Sequence, residues 1–257
     1  MKLKDIINII EKNYPPVLAY EWDNSGFILG NRDNEIKKCI VTLDITDSVV
    51  DDAVKNGANL IISHHPIIFS GIKKINTDNN IGKILLRCAS HNISLYAAHT
   101  NMDTAQNGIN VKLAAIFNLA DTVIIEPNSD YKGCGLGVLG HISPISLCDF
   151  LGEVKDNLNT PFVKYSGFEN QIISSVAIGS GSCADLIPAA KSLGADTIIT
   201  GDIKYHTALD YSSYEFSIID AGHFPTEQIV RDMFSDILIN ADIEIIKSNQ
   251  KDIFKIF

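Results

Sequence analysis

The sequence has few cysteines, a single tryptophan and no long apolar run. Its five cysteines are widely spaced and form no C-x-x-C pair, which argues against a disulfide framework and against a thiolate zinc site. This cysteine pattern fits a reducing compartment, so we expect a cytoplasmic protein. Because no segment approaches ~20 consecutive apolar residues, we also expect no membrane-spanning helix.

Basic residues are also scarce, and this narrows the choice of partners. The chain has 21 Lys and Arg residues against 31 Asp and Glu residues, a net charge of -10. Phosphate backbones and anionic lipids are poor partners for such a chain, whereas divalent cations and small molecules fit better. There is no Walker A loop and no basic phosphate cluster. At 257 residues and 46% hydrophobic, the chain can bury the core of one large or two small domains.

The chain alternates predicted strands and helices. An amphipathic helix, rather than a signal peptide, is predicted at the N-terminus. This alternation predicts an α/β fold with mostly parallel sheets, built as two similar halves over residues 1–125 and 126–257. We expect the glycine-rich region 121–141 to be the crossover between the halves. The predicted strands are 39–45, 60–62, 93–98, 172–178 and 196–200, and the predicted helices are 46–56, 81–91, 108–118, 146–158 and 183–193.

Two pairs of segments suggest an internal repeat. Residues 54–65 align with residues 191–202 as a helix end, Gly-Ala, an apolar strand and a polar end. Residues 94–103 resemble residues 217–227 in the same way, apart from one extra residue. The polar ends of corresponding strands therefore carry corresponding residues, which predicts that two halves of one pattern face each other.

Histidines and carboxylates follow two of these strands and the corresponding apolar segment that begins at Ser217. His64 and His65 come directly after a buried apolar strand, at the edge of the sheet where ligands bind in open α/β folds. Neighbouring side chains on an extended backbone point in opposite directions, so the two rings could serve two metal ions. Alone, the pair could equally be a polar cap on the strand.

Two further motifs favour the metal site. His99 is followed by Asp103, and His223 by Glu227, each with i,i+4 spacing at a helix entry. Imidazole and carboxylate together suit Zn, Mn, Fe, Co or Ni. A single histidine–carboxylate pair of this kind is usually two exposed side chains on one helix. The repeated arrangement instead predicts a metal site between the halves, with ligands from the strand ends of both.

The motifs SHHP, HTNMD, TGDIKYH and DAGHFPTE, with the early EWDNSG, resemble the NIF-three-like (YbgI/YqfO-type) family, often labelled GTP cyclohydrolase I type 2 homologues. The resemblance implies a dinuclear metal centre on an α/β fold of two similar halves, assembled as a toroidal homohexamer. It implies five metal ligands: His64, His65, Asp103, His223 and Glu227. At 257 residues the chain resembles the short form, without the domain that longer relatives insert.

Three residues outside this set need an interpretation. His99 is predicted to bond to a ligand or to transfer a proton, although a hydrogen-bonded core histidine would look the same. His206, four residues after Asp202, is a weaker candidate for the same cleft. Trp22, next to turn-forming residues, is expected to plug the core.

The resemblance implies a metal-dependent hydrolase. Two bound ions would lower the pKa of a bridging water, which would attack the substrate, and the family label makes this a GTP cyclohydrolase reaction. Only the label points to a nucleotide substrate. The alternative is a non-enzymatic metal-binding or regulatory scaffold, and stacking aromatic side chains beside the metal ligands would favour the enzyme.

Overall fold

The computed structural model describes residues 1–212 and 215–256, which form two compact units. The first unit contains residues 1–102 together with the described residues from 228 onward, and the second is Asp103–Glu227. These units differ from the predicted halves 1–125 and 126–257. The C-terminal strand Glu244–Lys247 pairs with Lys38–Val41 in the first sheet, and the strand starting at Ala120 belongs to the second sheet. The internal repeat of two halves stays a prediction.

The first unit is a five-stranded sheet in the order β1-β4-β3-β2-β11 with helices packed on it. Its strands pair in parallel except for β1, which runs antiparallel to β4. The mostly parallel α/β prediction is confirmed here. Its strands are β1 (Gly26–Leu29), β2 (Lys38–Thr42), β3 (Leu60–Ser63), β4 (Ser94–Ala97) and β11 (Glu244–Lys247), and its helices are α1 (Leu3–Asn13), α2 (Asp47–Asn56), α3 (Asn80–Ser90) and α10 (Val230–Ile237).

Local sequence signals explain where α2 begins and ends. The Thr46 hydroxyl accepts a hydrogen bond from the Val49 amide at 3.3 Å, which satisfies an otherwise unpaired N–H group in the first turn. Gly57 ends the helix in the left-handed conformation with φ of 68°. The chain then enters β3, whose four residues are all buried. The apolar faces of α2 and α3 pack on one face of this sheet, with a core that includes Ile40, Val49, Ile61, Leu85 and Leu95.

The second unit contains a six-stranded sheet in the order β5-β6-β8-β9-β10-β7. The central strands β8, β9 and β10 are parallel, while β5, β6 and β7 pair in antiparallel fashion. Its strands are β5 (Ala120–Pro127), β6 (Gly135–Ser146), β7 (Lys164–Ser166), β8 (Ile172–Ile178), β9 (Thr197–Thr200) and β10 (Ser217–Asp220). Its helices are α5 (Ile109–Ile116), α6 (Leu147–Leu158), α7 (Ile187–Ser192), α8 (Tyr205–Tyr211) and α9 (His223–Glu227), and the short α4 (Thr100–Asp103) crosses the boundary between the units.

The glycine-rich region predicted as a crossover is an antiparallel pair of long strands, β5 and β6. Its glycines allow the strands to approach closely. A Cβ atom on Gly135, which has φ of +148°, would lie 2.2 Å from the carbonyl oxygen of Glu126 on the paired strand. Glycine inside a strand resembles a turn signal in sequence, and this is why the prediction failed.

In the part of the chain that the structure describes, no helix is both long and apolar enough to cross a bilayer.

The parallel strands position the candidate site, because their carboxyl ends carry its histidines and aspartates. In the first unit these are the ends of β2, β3 and β4, and in the second the ends of β9 and β10.

Candidate metal centre

His64 and His65 continue the line of β3 after its last residue. The His64 amide donates to the Thr42 carbonyl at 3.2 Å, and the His65 amide donates to the Leu43 carbonyl at 3.0 Å. These two bonds, to the last residue of β2 and to the residue after it, fix both backbones. His64 is fully buried and the His65 side chain is 23% exposed. The predicted position at the strand end is confirmed.

Three histidine rings of the first unit, which we call the histidine group, are each held through the Nδ1 atom: His64, His65 and His99. His64 Nδ1 lies 2.8 Å from the Ala98 carbonyl oxygen, which can only accept a hydrogen bond. His65 Nδ1 lies 2.7 Å from Asp44, and His99 Nδ1 lies 2.8 Å from Asp23. A neutral imidazole that donates from Nδ1 keeps its lone pair on Nε2. This is the arrangement by which proteins orient histidines toward a metal ion.

His64, His65 and His99 also converge on one another. Each can offer a ligand atom, and the three atoms lie within 4.8 Å of one another. The ring of His99 is 5.2 Å from that of His64 and 5.5 Å from that of His65, measured between centroids. The structure thus brings His99 beside the two predicted ligands. Its role as a bonding partner of a ligand or as a proton-transfer group stays a prediction.

Asp23 stands within EWDNSG and is a candidate site residue that local pattern did not reveal. Its side chain accepts hydrogen bonds from His99, from Ser25 at 2.7 Å and from Thr100 at 2.6 Å. Burial raises the pKa of Asp23, but the hydrogen bonds from His99, Thr100 and Ser25 outweigh it and hold the pKa well below its usual range. Asp23 is therefore an ionised acceptor that orients the His99 ring.

The register of the sheet explains the position of Asp44. Thr42 on β2 pairs with Ser63 on β3, so residues two positions further along each chain come to lie side by side. Those residues are Asp44 and His65. Local sequence does not reveal this role, because it appears only once β2 and β3 are known to be parallel neighbours in this register.

The second unit repeats this bonding pattern at His223. Its Nδ1 lies 2.7 Å from Asp202, and its Nε2 lies 2.8 Å from Oε2 of Glu227 one helical turn later. The predicted i,i+4 pair on α9 is confirmed as a contact. Thr200 pairs with Asp220 across β9 and β10, so Asp202 follows one strand as His223 follows the other. The Glu227 side chain is only 5% exposed.

A tight turn after β8 surrounds Glu227. The Gly181 amide donates to the Thr226 hydroxyl at 2.9 Å, and the Gly181 carbonyl accepts from the Gly201 amide at 2.7 Å. Gly181 has φ of +60°, and a Cβ atom there would lie 1.9 Å from Oε1 of Glu227. Only glycine leaves room for the carboxylate. The sequence showed Gly181 only as part of a turn.

Asp103, the remaining predicted ligand, belongs to the second unit, not to the first half as predicted. Its backbone carbonyl accepts a hydrogen bond from the Asn110 side chain at 3.3 Å. Burial raises the pKa of the Cys183 thiol strongly, and the charges of Asp103 and Glu227 raise it further. Both carboxylates therefore lie near the same thiol, and Cys183 is kept in the protonated form, which is a poor metal ligand.

His206 lies on the first turn of α8, is exposed, and packs its ring against Tyr205 with 5.5 Å between centroids. Within residues 1–212 and 215–256, it joins no group of potential metal ligands. The structure therefore does not place it with the other candidates.

The fold and these side chains define a class of protein: an α/β protein with oriented imidazole and carboxylate groups suited to divalent metal ions. The chain belongs to the Duf34/NIF3 (NGG1p interacting factor 3) family, whose sequence model matches residues 1–253. The predicted family is confirmed.

Curated and solved relatives agree with this assignment. The chain is 36% identical over 260 residues to the GTP cyclohydrolase 1 type 2 homolog of Clostridium perfringens, with 99% of each chain covered. It matches the crystal structure of Staphylococcus aureus protein SA1388 with a TM-score of 0.92 and 29% identity, covering 100% of this chain and 99% of the other. A Bacillus cereus protein related to NIF3 matches with a TM-score of 0.92 and 25% identity over the same shares.

Proposed function

We propose that the chain is a metal-dependent hydrolase that binds two divalent ions through His64, His65, Asp103, His223 and Glu227. The observation that carries the proposal is the fixing of each histidine through Nδ1, by a carbonyl oxygen for His64 and by aspartates for His65 and His223. When bound, two such ions would supply the Lewis acidity that activates water and polarises a substrate oxygen.

The residues fit divalent ions in each unit considered separately. In the first unit, three imidazoles offer ligand atoms within 4.8 Å of one another, and the partners of His65 and His99 are carboxylates. In the second unit, Nε2 of His223 and Oε2 of the buried Glu227 lie 2.8 Å apart, and a buried carboxylate favours a cation beside it. Because Gly181 has no side chain, the Glu227 carboxylate has room to keep this position. Nitrogen and carboxylate donors together suit Zn, Mn, Fe, Co or Ni.

The other polar residues of the site would orient and transfer protons. Asp44 and Asp202 hold the rings of His65 and His223, which keeps their Nε2 atoms in position. His99, oriented by the ionised Asp23, would exchange a proton with the substrate through Nε2. An imidazole held this way keeps a defined tautomer through a catalytic cycle.

The substrate proposal draws on the relatives. Several curated relatives carry the name GTP cyclohydrolase 1 type 2 homolog, and on that basis we take hydrolytic opening of a nucleotide base as the candidate reaction. The rival is a metal-binding or regulatory scaffold that performs no reaction. The two differ in whether the metal-loaded protein turns over any substrate.

The test combines metal analysis with an activity screen. The purified protein is loaded in turn with Zn, Mn, Fe, Co and Ni, its metal content is measured, and each form is incubated with nucleoside triphosphates, including GTP, and with phosphoesters. We expect two ions per chain and turnover of at least one substrate. At most one ion under metal excess would refute the proposed ligand set, and two ions without turnover would favour the scaffold.

Two glycine substitutions provide a matched pair for the same experiment. Gly181→Ala places a methyl group 1.9 Å from Oε1 of Glu227, whereas Gly194→Ala, at a similar positive φ of +88°, meets no atom within 4 Å. Both variants carry backbone strain, but only Gly181→Ala displaces the carboxylate. We expect Gly181→Ala to lower metal content and activity while Gly194→Ala retains both.

Assembly as a homohexamer is a proposal that rests on the family resemblance alone. Multi-angle light scattering at micromolar concentration tests it, and a monomeric mass would contradict it.

A further inference from the structure

Three aromatic side chains of the first unit form an exposed cluster, which we call the aromatic platform: Tyr20, Trp22 and Phe69. The rings of Tyr20 and Trp22 are stacked, with 5.7 Å between centroids and 17° between planes, and Phe69 lies 5.6 Å from Trp22. Trp22 is 58% exposed and Phe69 is 55% exposed. The expectation that Trp22 plugs the core is therefore wrong.

The platform is fixed in place although its rings are exposed. The Tyr20 amide donates to the Thr100 hydroxyl at 3.1 Å, which ties the start of the loop to α4. The Asn24 side chain donates to the Ile68 carbonyl at 2.6 Å, which joins the loop of Trp22 to the segment of Phe69. A site that is ordered before binding loses little conformational freedom when a ligand arrives. Exposed aromatic rings that are held this way are typical of binding sites.

The platform is continuous with the histidine group. The His99 ring meets Trp22 edge-on at 6.2 Å and Phe69 at 6.0 Å, measured between centroids. The His99 ring also lies 5.2 Å from the ring of His64 and 5.5 Å from the ring of His65. A flat molecule that stacks on the platform would therefore have its edge near the imidazoles.

We propose that Tyr20, Trp22 and Phe69 bind a planar heteroaromatic ring of purine size, such as the base of a nucleoside. Stacking on aromatic side chains suits such rings because every base presents a π-face. It needs no positive charge, which agrees with the acidic character of the chain. The inference names the substrate class of the proposed hydrolase and rests on that function for the reaction, but the binding itself can be measured without it.

Trp22 makes the test direct, because it is the only tryptophan in the chain. Its fluorescence is followed while guanosine, adenosine or ribose 5-phosphate is added to the metal-loaded protein and to protein treated with chelator. We expect both nucleosides to quench the emission in a saturable way and ribose 5-phosphate to have no effect. Absence of quenching by either nucleoside in protein shown to contain metal would overturn the inference and leave the proposed metal function intact.

Substitutions identify the binding surface. Tyr20→Leu and Phe69→Leu retain Trp22 as the reporter, and Trp22→Leu is measured by equilibrium dialysis with radiolabelled guanosine. We expect each to weaken nucleoside binding about tenfold, the loss typical of one stacking contact. Phe168→Leu is the matched control, because Phe168 is 59% exposed but lies in the second unit. Equal affinity in Phe69→Leu and Phe168→Leu would overturn the inference.

Two further measurements separate this inference from its rivals. Metal content is determined in every variant, and we expect it to be unchanged, so loss of nucleoside binding together with loss of metal would argue against a separate ring-binding surface. The emission of Trp22 is also recorded across protein concentrations. If it shifts with concentration and the platform variants change the oligomeric state, the platform is a contact between copies of the chain and the inference is wrong.

Discussion

Among the residues that the structure describes, three aspartates orient histidine rings: Asp23, Asp44 and Asp202. Of these, Asp44 gives the sharpest test because His65 is itself a proposed ligand. Asp44→Asn keeps an acceptor oxygen but removes the charge that makes the ring more basic. We expect metal affinity to fall by about tenfold, and by more in Asp44→Ala, as for such partners elsewhere.

Competition with a chromophoric chelator measures that affinity. Asp210→Asn, which changes an exposed carboxylate on α8, serves as the control and should bind metal like the parent chain. If Asp44→Asn and Asp210→Asn bind equally, the hydrogen bond from His65 to Asp44 does not support the ligand.

The sequence predicted the histidines but not the aspartates that hold them. His64, His65, His223 and Glu227 stand in motifs with recognisable spacing, and the structure places each at a strand end or on the following helix. Asp44 stands in no motif, and Asp202 stands in TGDIKYH without a predicted role, because the role of each depends on which strands are neighbours and in what register. Pairing between distant segments is not readable from local pattern, so these residues become visible only in the folded chain.

At the level of elements, the C-terminal segment supports the site through β11. This strand pairs in parallel with β2, and the chain beyond it places Gln250 beside Asp44. The Gln250 amide donates to Asp44 Oδ2 at 3.0 Å, and its carbonyl oxygen accepts from the Asp44 amide at 3.0 Å and from the Thr42 hydroxyl at 3.0 Å. Gln250 is therefore a positioning residue for Asp44 and, through it, for His65.

We expect Gln250→Ala to weaken metal binding by several-fold, because Asp44 loses one hydrogen bond to its side chain and one to its backbone amide. The same substitution added to Asp44→Ala should cost little more, since residues of one hydrogen-bond network are not additive. Lys251→Ala, at the exposed neighbouring position, is the control. Metal affinity is measured for the parent chain, the two single variants and the double variant. If the two losses of affinity simply add in the double variant, Gln250 does not act through Asp44.

Element boundaries were predicted well where periodicity was strong and poorly where glycine interrupts a strand. The helices α2, α3 and α6 lie within a few residues of their predicted ranges, because capping residues and apolar spacing are local. The β5–β6 pair was missed because Gly135 and Gly137 resemble turn residues. The short strand β11 was also missed, since four residues of mixed burial carry little signal until β2 is there to pair with them.

At the scale of the whole molecule, the buried thiols of Cys39 and Cys88 should make the folded state less stable at alkaline pH. Burial raises the pKa of Cys39 to about 12, and burial, partly offset by Arg87, raises that of Cys88 to about 11, from an ordinary value of 9.0. Above pH 9 the unfolded chain loses these protons first, so the folded state holds more protons and its stability falls as pH rises toward 11 or 12. We expect a loss on the order of 2 kcal/mol for each thiol between pH 8 and pH 10.5.

Guanidinium unfolding at pH 8, 9.5 and 10.5 measures this loss. A Cys39→Ala, Cys88→Ala double variant should be less stable at pH 8 but show a shallower decline. A decline of equal slope in both proteins would assign the sensitivity to other groups, among them Tyr14, whose pKa burial raises to about 12.

Metal binding should also stabilise the whole chain. A ligand that binds only the folded state adds ~2.7 kcal/mol to the free energy of unfolding at a hundredfold excess over its dissociation constant. For a chain of this size, stripping the metal with a chelator should lower the melting temperature by about 5 to 10 °C. Differential scanning calorimetry with and without chelator measures the shift, with metal content confirmed by elemental analysis.

Asp103→Ala distinguishes stabilisation by the proposed ions from other effects of the chelator. The substitution removes a proposed ligand, so the variant should melt near the temperature of the stripped parent chain and respond little to chelator. Asp210→Ala removes an exposed carboxylate on α8 and should keep the full response. A parent chain whose melting temperature is unchanged after confirmed metal removal would show that its ions add nothing to folding. A full chelator response in Asp103→Ala would instead assign the stabilising ion to ligands other than Asp103.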